Sequence, residues 1–396
     1  MKNIFKYASL LIAAVMLISC EGQTGVNDGT TGGKKLEITS DKTFVQTFGD
    51  DYAVLTVTLN GEVLTEGVTF FDDDNNVLDI VDGKFSTTVA GVHNIWANYG
   101  TYNSDFVAIR AIDVEIPGTP ADPKPESTSF KTRVLLTEFT TTGCMYCPKM
   151  KELLHTVMAD KTVADDVVEV ACHSSLVGNV ADPAYVRAEG YEQFSGLTGM
   201  PFVLCDNWEG SINYNWDAAS VKEMFSNLIA TKGDGTGIAV NANIKDNKLV
   251  AKVTIKASKT GQYRIGAFLV EDGVYGKQSS ATADWMHTHD NVIRYIDASY
   301  RLNGAEYYHG HLLGNVQEGK TADFVFAWDL DEIWATGNKN ADMYGNSSWT
   351  ELAIEKLHMT VFVTSVGVDY KGTERYFVNN VIDCRNLNGE TKFEYR

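Results

Sequence analysis

The stretch that decides the fold of the middle of the chain is Val134-Leu135-Leu136-Thr137-Glu138-Phe139-Thr140-Thr141-Thr142-Gly143-Cys144-Met145-Tyr146-Cys147-Pro148. Its first six residues form an apolar run with the length and composition of a buried strand. After Pro148, apolar residues recur at helical spacing, at Met150, Leu153, Leu154, Val157 and Met158. The sequence therefore predicts a strand that turns, at Cys144, into a helix.

Two thiols, those of Cys144 and Cys147, lie at this strand-to-helix transition. Residues i and i+3 of a first helical turn can close into a disulfide, and the unpaired N–H groups there stabilise the thiolate of the first Cys. Thiol–disulfide exchange needs such an acidified attacking thiol with a resolving thiol one turn away. A permanent local disulfide without turnover is the alternative. Zinc is disfavoured because the chain has no second Cys-x-x-Cys to complete a ligand set.

Predicted strands and helices alternate through residues 131–235. Further strands are predicted at Val167 to Ala171 and at Phe202 to Cys205. Helices are predicted at Asp182 to Phe194, with Asp182 as the N-cap, and at Trp216 to Ala230. The order βαβαβα indicates an α/β unit with parallel strands.

The segment from Val134 to Pro148 resembles the central strand and active-site turn of the thioredoxin superfamily. The resemblance implies that Glu138, six residues before the first Cys, is the buried acid that assists proton transfer from the resolving thiol. Gly199-Met200-Pro201-Phe202-Val203-Leu204 similarly resembles the family's cis-proline loop, whose backbone holds a substrate strand. We therefore expect Cys144, Cys147 and Glu138 to be catalytic. Met200, Pro201 and Tyr146 are expected to contact a peptide substrate.

Several positions depart from the family pattern. Gly143 replaces the usual aromatic residue, Met145-Tyr146 separates the cysteines, and Pro148 follows them, which leaves the redox potential and the substrate open. In the thioredoxin fold, Cys172 and Cys205 would lie on strands either side of the central one. Two strand spacings separate them by about 9.6 Å, which is too far for a disulfide.

The remainder of the chain is predicted to be β-rich, in a multidomain α+β protein. Residues 36–113 alternate apolar and polar side chains between Asn-Gly and Asp-Gly turns, which favours an immunoglobulin-like β-sandwich. Four of the seven prolines fall in residues 114–130, which predicts a stiff, extended linker between the two domains. Residues 236–396 contain many alternating runs, the first two joined in a hairpin at Lys245-Asp246-Asn247-Lys248, and predict a larger β-sandwich or jelly roll.

The N-terminus has the pattern of a bacterial lipoprotein signal. Lys2 and Lys6 precede an apolar run that is too short to span a bilayer but suits a signal peptide over residues 1–19. The run ends at Ser19-Cys20, which resembles a lipobox, so acyl chains such as palmitate on Cys20 would anchor the protein to a membrane. Residues 20–35 are then interpreted as a flexible tether, rich in Gly, Thr, Asn and Asp. An ordinary secretory signal with an incidental Cys is the alternative.

The charge of the chain excludes one large class of function. Lys and Arg number 33 against 52 Asp and Glu, a net charge of −19. Affinity for nucleic acid comes mostly from clustered Lys and Arg, and the sequence contains no such cluster. We therefore expect no nucleic-acid partner, and we predict no cofactor.

Two histidine pairs, His287 with His289 and His309 with His311, have the i, i+2 spacing that would place both rings of a pair on one face of a strand. Metal binding is one interpretation. Neutral histidines among aromatic residues are the interpretation we prefer, so no metal site is predicted.

The whole order, from lipobox to a C-terminal region that contains His289-Asp290-Asn291-Val292-Ile293-Arg294, resembles the outer-membrane-protein-28-related lipoproteins. The resemblance implies an outer-membrane location, on either the periplasmic or the surface face, and brings no established reaction. One hypothesis is therefore a membrane-anchored protein that exchanges disulfides with protein or peptide thiols. The other is a non-enzymatic surface protein that binds a host, peptide or glycan partner and uses the Cys pair as a structural disulfide.

Overall fold

The computed structural model describes residues 35–174, 182–207, 209–302, 305–343, 350–368 and 372–396. The proposed signal peptide, Cys20 and all but the last residue of the tether lie outside these ranges. Strands make up 45% of the chain and helical residues 17%, in several sheets, which confirms the prediction of a β-rich, multidomain protein. The chain divides into two compact units, Met1–Ile116 with Arg301–Glu306, and Pro117–Tyr300 with Tyr307–Arg396. Within the described residues, no helix is both long and apolar enough to cross a membrane.

The first unit consists of short strands in two sheets. Its strands are Leu36–Ser40 (β1), Phe44–Gln46 (β2), Ala53–Leu59 (β3), Glu62–Val63 (β4), Thr69–Phe71 (β5), Val77–Leu78 (β6), Lys84–Phe85 (β7), Gly91–Tyr99 (β8), Tyr102–Asn103 (β9) and Val107–Ile112 (β10). One sheet has the order β1-β3-β4, with β7 also on β3, and the other has the order β2-β10-β8-β5-β6, with β9 on β8. Alternate side chains of β3 are buried, and residues of both sheets form one apolar core. The period-2 pattern therefore correctly identifies the inward faces.

The first half of the second unit carries the Cys pair. Its elements are Val134–Phe139 (β11), Cys147–Met158 (α1), Lys161–Ala164 (α2), Val167–Cys172 (β12), Glu189–Phe194 (α3), Phe202–Cys205 (β13), Gly210–Ile212 (β14) and Ala218–Lys232 (α4). Strand β11 is buried along its whole length, pairs in parallel with β12 and pairs antiparallel with β13. The predicted parallel pairing thus holds for β11 with β12, whereas β13 runs the other way.

The second half of this unit is mostly strands. Its elements are Gly237–Lys245 (β15), Lys248–Lys256 (β16), Gly261–Glu271 (β17), Val274–Tyr275 (β18), Thr288–His289 (β19), Val292–Asp297 (β20), His311–Val316 (β23), Thr321–Asp329 (β24), Leu330–Met343 (α5), Leu357–Val368 (β25), Glu374–Cys384 (β26) and Gly389–Thr391 (β27). The two short strands between β20 and β23, Tyr300–Leu302 (β21) and Ala305–Tyr307 (β22), lie mostly in the segment Arg301–Glu306 that belongs to the first unit. Strands β15 and β16 form the predicted hairpin, since Lys245 pairs with Lys248 and the two turn residues, Asp246 and Asn247, have positive φ angles of 52° and 58°. The helix α5 has no counterpart in the sequence prediction.

One sheet runs through both halves of the second unit. Its order is β14-β13-β11-β12-β20-β17-β25-β26, with β23 also on β17. The junction between the halves is the parallel pairing of β12 with β20, where Ala171 lies opposite Val292. The boundary predicted at residues 235 and 236 thus falls inside a single compact unit. A second sheet, β24-β16-β15-β27, contributes with the first to a shared apolar core.

The proline-rich segment packs on the second unit from Pro117 onward. The buried ammonium group of Lys256 donates to the Asp122 carboxylate at 2.8 Å and to the Lys124 carbonyl at 3.3 Å. The Asp122 carboxylate also accepts a hydrogen bond from the Tyr395 hydroxyl. The proline content therefore marks an extended segment, but residues 117–130 are held to the second unit by these contacts.

The region before α3 differs from its predicted form. The helix extends only over Glu189–Phe194, and Asp182 does not cap it. Instead, the Asp182 carboxylate accepts hydrogen bonds from several neighbouring groups, including the backbone N–H of Ala184 at 3.0 Å. An Asp followed by Pro, as at Asp182-Pro183, marks a helix start only where the next residues are helical. Residues 182–188 are not helical in the structure.

Candidate functional site

The Cys pair lies where the sequence predicts, at the junction of β11 and α1. Cys144 and Cys147 form a disulfide, with a Cα–Cα distance of 5.4 Å. Helix α1 begins at Cys147, and Pro148 lies in its first turn, where a missing N–H costs nothing. The backbone N–H of Cys147 donates to the Cys144 sulfur at 3.1 Å. That N–H would stabilise a negative charge on the Cys144 sulfur in the reduced protein.

The two cysteines are buried, whereas the residues between them are exposed. Cys144 is 5% and Cys147 2% exposed, against 62% for Met145 and 50% for Tyr146. The ring of Tyr146 stacks on Tyr214, with ring centroids 5.9 Å apart, and the Lys149 ammonium lies over both rings. Neither Tyr214 nor Lys149 is predicted from the sequence. The surface beside the disulfide is therefore aromatic and cationic.

Glu138 carries a buried carboxyl group. Its side chain and Cys147 line the same cavity, of about 540 Å³. Burial raises the pKa of Glu138 to about 8, an effect that the Glu169 carboxyl increases and the Lys151 ammonium opposes. Glu138 Oε1 has no hydrogen-bond partner among the described residues. A buried acid with a raised pKa therefore lines the same cavity as Cys147.

Two further charged residues of the cavity, Lys151 and Glu169, are absent from the sequence prediction. Lys151 lies on α1, four residues after Cys147, and its ammonium donates to the carbonyls of Met286 (3.0 Å) and Thr288 (2.6 Å). Burial lowers its pKa. Glu169 lies on β12, and burial raises its pKa to about 7. With Asp290, the cavity is thus lined by three carboxyl groups and one ammonium group.

The second half of the unit holds the Cys turn in place. The buried Gln278 amide donates to the Cys144 carbonyl at 2.9 Å and approaches the carbonyls of Thr141 (3.3 Å) and Thr142 (3.2 Å). The Ser279 N–H donates to the Thr142 carbonyl at 2.7 Å. These bonds fix the backbone before the disulfide, and they come from residues more than 130 positions away in sequence.

Asp182 and His173 form a second buried constellation beside the Cys turn. Asp182 Oδ2 lies 2.9 Å from His173 Nδ1 and accepts hydrogen bonds from the Thr141 hydroxyl (3.0 Å) and the Thr142 N–H (2.9 Å). Burial alone would raise the pKa of Asp182, but His173 and the hydrogen bonds outweigh it and lower the pKa to about 2. The ring of His173 packs edge-on against His289 at 4.8 Å. The pair therefore ties β12 to the Cys turn.

The predicted substrate loop lies next to the Cys turn along the sheet. The Met200–Pro201 peptide bond is cis, as the resemblance implies. It precedes β13, in which Phe202 lies opposite Phe139, the last residue of β11. Both Met200 and Pro201 are half-buried. The Cys turn follows the C-terminal end of β11, and the Pro201 loop precedes the neighbouring strand β13. The turn and the loop therefore lie at the same end of β11.

The two histidines of each predicted pair contact different groups. His287 Nδ1 accepts the Gln278 N–H at 3.1 Å, whereas the buried His289 packs on His173. His309 contacts the Tyr300 hydroxyl at 3.1 Å, and His311 lies 2.6 Å from the Asp297 carboxylate. Burial lowers the pKa of His289 to about 3 and that of His309 to about 4. Among the described residues, no three His, Cys, Asp or Glu side chains come together as metal ligands.

The remaining cysteines of the described chain are buried thiols. Cys172 and Cys205 lie on β12 and β13, the strands on either side of β11, and are unbridged as predicted. Burial raises the thiol pKa of both. Cys384 lies on β26, where its sulfur is 3.2 Å from the Thr391 hydroxyl. None of the three has the environment of a reactive thiolate.

Fold and site together define a β-rich, multidomain protein with a disulfide at a strand–helix junction beside a polar cavity. No family model matches the sequence, and no curated protein matches it. Among solved structures, the chain is similar to HBP35 of Porphyromonas gingivalis, with a TM-score of 0.45 and 14% identity over 65% of this chain and 76% of that chain. A likeness at this level indicates neither a family nor a function.

Proposed function

We propose that the Cys144–Cys147 pair exchanges disulfides with protein or peptide thiols, in a thioredoxin-like domain. The observation that carries the proposal is that this disulfide closes the turn between β11 and α1, while Cys147 shares a cavity with the buried Glu138. In the direction that oxidises a substrate, a substrate thiolate attacks the pair and forms a mixed disulfide. The second substrate thiolate then displaces the protein thiolate, so that two electrons pass to the cysteines.

In the reducing direction, each residue has a separate role. The Cys144 thiolate, stabilised by the Cys147 N–H, attacks a substrate disulfide. Glu138 accepts the proton of the Cys147 thiol, whose thiolate attacks Cys144 and releases the reduced substrate. Tyr146 and the Met200–Pro201 backbone hold the substrate strand. The position of Pro201, on the strand that neighbours β11, supports this assignment.

The mature full-length protein tests the proposal. It is equilibrated in glutathione buffers of graded potential, its free thiols are alkylated, and the mass of the Cys144–Cys147 peptide gives the reduced fraction. We expect a midpoint within the glutathione range and turnover in insulin-disulfide reduction. A pair that stays oxidised at every potential, with no insulin turnover, would rule out exchange.

A specific observation favours the non-enzymatic alternative. Both cysteines are at least 95% buried, and Gln278 holds the turn that carries them, which suits a permanent disulfide. In that case the two β-rich regions bind a host, peptide or glycan partner. This alternative predicts that a protein with both Cys144→Ser and Cys147→Ser keeps its function in cells. A thiol-trapping gel on intact cells separates the two, because a partly reduced pair or a trapped partner indicates exchange.

The finer assignments of the remaining regions belong to the same proposal. We propose an immunoglobulin-like domain at residues 36–113, supported by the two sheets that share one core. A β-sandwich or jelly roll is proposed for residues 236–396, supported by the two sheets that pack there. We further propose that the chain is related to the outer-membrane-protein-28-related lipoproteins. The sequence resemblance supports this proposal.

Membrane attachment through Cys20 gives a separate prediction. In a Gram-negative host, the wild-type protein is expected to incorporate labelled palmitate and to sediment with the outer membrane. Cys20→Ala is expected to lose the label, because the acylated thiol is gone. Cys384→Ser is the matched control and should sediment as the wild type does. Unlabelled wild-type protein in the soluble fraction would contradict lipid anchoring, and protease treatment of intact cells would identify the membrane face.

A further inference from the structure

A second groove shares wall residues with the cavity that Cys147 lines. This groove, of about 310 Å³, lies where β12 meets the C-terminal strands. Three residues line both the cavity and the groove, namely Met158, Glu169 and Asn291. Glu169 is the only ionisable residue among these three. Glu169 is therefore an acid that borders both the cavity lined by Cys147 and the second groove.

Ionisable residues line both the cavity and the groove that Glu169 borders. On the cavity side the ionisable groups are Glu138 of β11, Lys151 and His155 of α1, His173 directly after β12, His289 of β19 and Asp290. On the groove side they are Arg133, Asp165, Asp383, Arg385 and Glu394. The Lys151 ammonium interacts electrostatically with Glu138, Glu169 and Asp290, and two carbonyls fix its position.

We propose that Glu169 is a second proton-transfer residue of the exchange site, receiving from Glu138 the proton that the Cys147 thiol releases. This inference rests on the proposed exchange function. In the resolving step the S–H bond of Cys147 breaks and its proton goes to Glu138. The Cys147 thiolate then forms the S–S bond with Cys144, and the substrate thiolate leaves with the electron pair. The proton passes to Glu169 and leaves through the groove, so that Glu138 is ready for the next turnover.

The burial of Glu138 explains why the site would need a second acid. Glu138 is 5% exposed and lies on a strand that is buried along its length, so it has little direct access to solvent. Glu169 is half-buried and lines the second groove. Because a general acid or base works best when its pKa lies near the working pH, two carboxyls with pKa values of about 8 and about 7 suit proton transfer near neutrality.

The test is a single-turnover experiment on the full mature protein with a peptide disulfide as substrate, from pH 5.5 to 9. Formation of the mixed disulfide at Cys144 and its resolution by Cys147 are followed separately by acid quenching and mass spectrometry. For Glu169→Gln we expect resolution to slow about tenfold at pH 7, less than the ~10²–10⁴ of a direct general base. The pH profile of the resolution rate in this variant should also lack one ionisation that the wild type shows. Mixed-disulfide formation should keep its wild-type rate.

Two further variants separate proton transfer from a structural effect. Glu169→Asp retains a carboxyl group and is expected to restore the ionisation, whereas a purely structural role would leave it lost. Glu152→Gln, on the exposed face of α1, is the matched control and should behave as wild type. A normal pH profile in Glu169→Gln, with exchange intact, overturns this inference alone. Absence of exchange in the wild type overturns the proposed function and this inference with it.

Discussion

Replacing Cys144 by Ser is expected to abolish thiol–disulfide exchange and to leave only the uncatalysed rate. The Cys144 sulfur is the one that accepts the Cys147 N–H, so it is the sulfur whose thiolate is stabilised. A serine oxygen cannot form the mixed disulfide at all. Insulin reduction and alkylation of single-turnover samples measure the loss.

Replacing Cys147 by Ser is expected to have a different result. The Cys144 thiolate still attacks, but no second thiol resolves the mixed disulfide. A covalent adduct with the substrate should therefore accumulate, visible as a mass increase that a reductant removes. Activity in Cys144→Ser, or an absence of adduct in Cys147→Ser, would contradict the assignment of attacking and resolving thiols.

The control for both variants is Cys384→Ser. It makes the same chemical change at a buried thiol, and the Thr391 hydroxyl that lies 3.2 Å from the sulfur can hydrogen-bond a serine as well. We expect this variant to exchange disulfides at the wild-type rate. A loss of exchange there as large as in Cys144→Ser would mean that the assay reports folding and not the chemistry of the pair.

Local signals account for the part of the site that could be predicted from sequence. The apolar run of β11, the helical spacing of α1 and the two thiols between them lie within a single stretch of sequence. The turn at Asp246 and Asn247 is equally local, because both residues tolerate positive φ. Glu138 and Pro201 follow only from a family resemblance. Glu138 is identified by its position six residues before Cys144, and Pro201 by the loop Gly199 to Leu204 ahead of a strand.

Long-range pairing determines the part that could not be predicted. Ala171 lies opposite Val292, and this pairing brings Asp290 and Asn291 to the cavity wall. Gln278 reaches the Cys turn from the same region. A pairing between strands more than 100 residues apart leaves no signal in the local pattern of either strand. Six of the seventeen residues that line the cavity lie beyond the predicted boundary at residue 235, so the sequence prediction did not place them at the site.

Asp182 has the local sequence pattern of a helix start, but no helix begins there. Asp before Pro is typical of a helix start, and the helix was predicted to begin there. In the structure the carboxylate does accept the Ala184 N–H two residues on, but no helix follows directly, and it also accepts hydrogen bonds from His173, Thr141 and Thr142. An acidic residue before a proline in the sequence does not show whether its carboxylate also has such distant partners.

Replacing Asp182 by Ala is expected to lower the free energy of unfolding of the second unit by about 3 kcal/mol, because buried hydrogen-bond donors left without an acceptor cost about 1–3 kcal/mol each. The substitution leaves the His173 ring and the N–H groups of Thr142 and Ala184 buried without this acceptor. Urea-dependent labelling of the buried thiols of Cys172 and Cys205 measures unfolding of this unit separately from the other. Asp160→Ala, at the exposed N-cap of α2, is the control and should cost less.

The pH dependence distinguishes the ionised carboxylate from mere packing. The folded-state pKa of Asp182, about 2, lies below the value of about 3.9 for an unfolded Asp. Its stabilisation is therefore complete above pH 4 and decreases as the pH falls from 4 toward 2. The difference between wild type and Asp182→Ala, measured with a pyridyl disulfide that labels thiols in acid, should shrink over that interval. A difference that stays constant from pH 7 to pH 2.5 would show that the charge of Asp182 contributes nothing to holding the Cys turn.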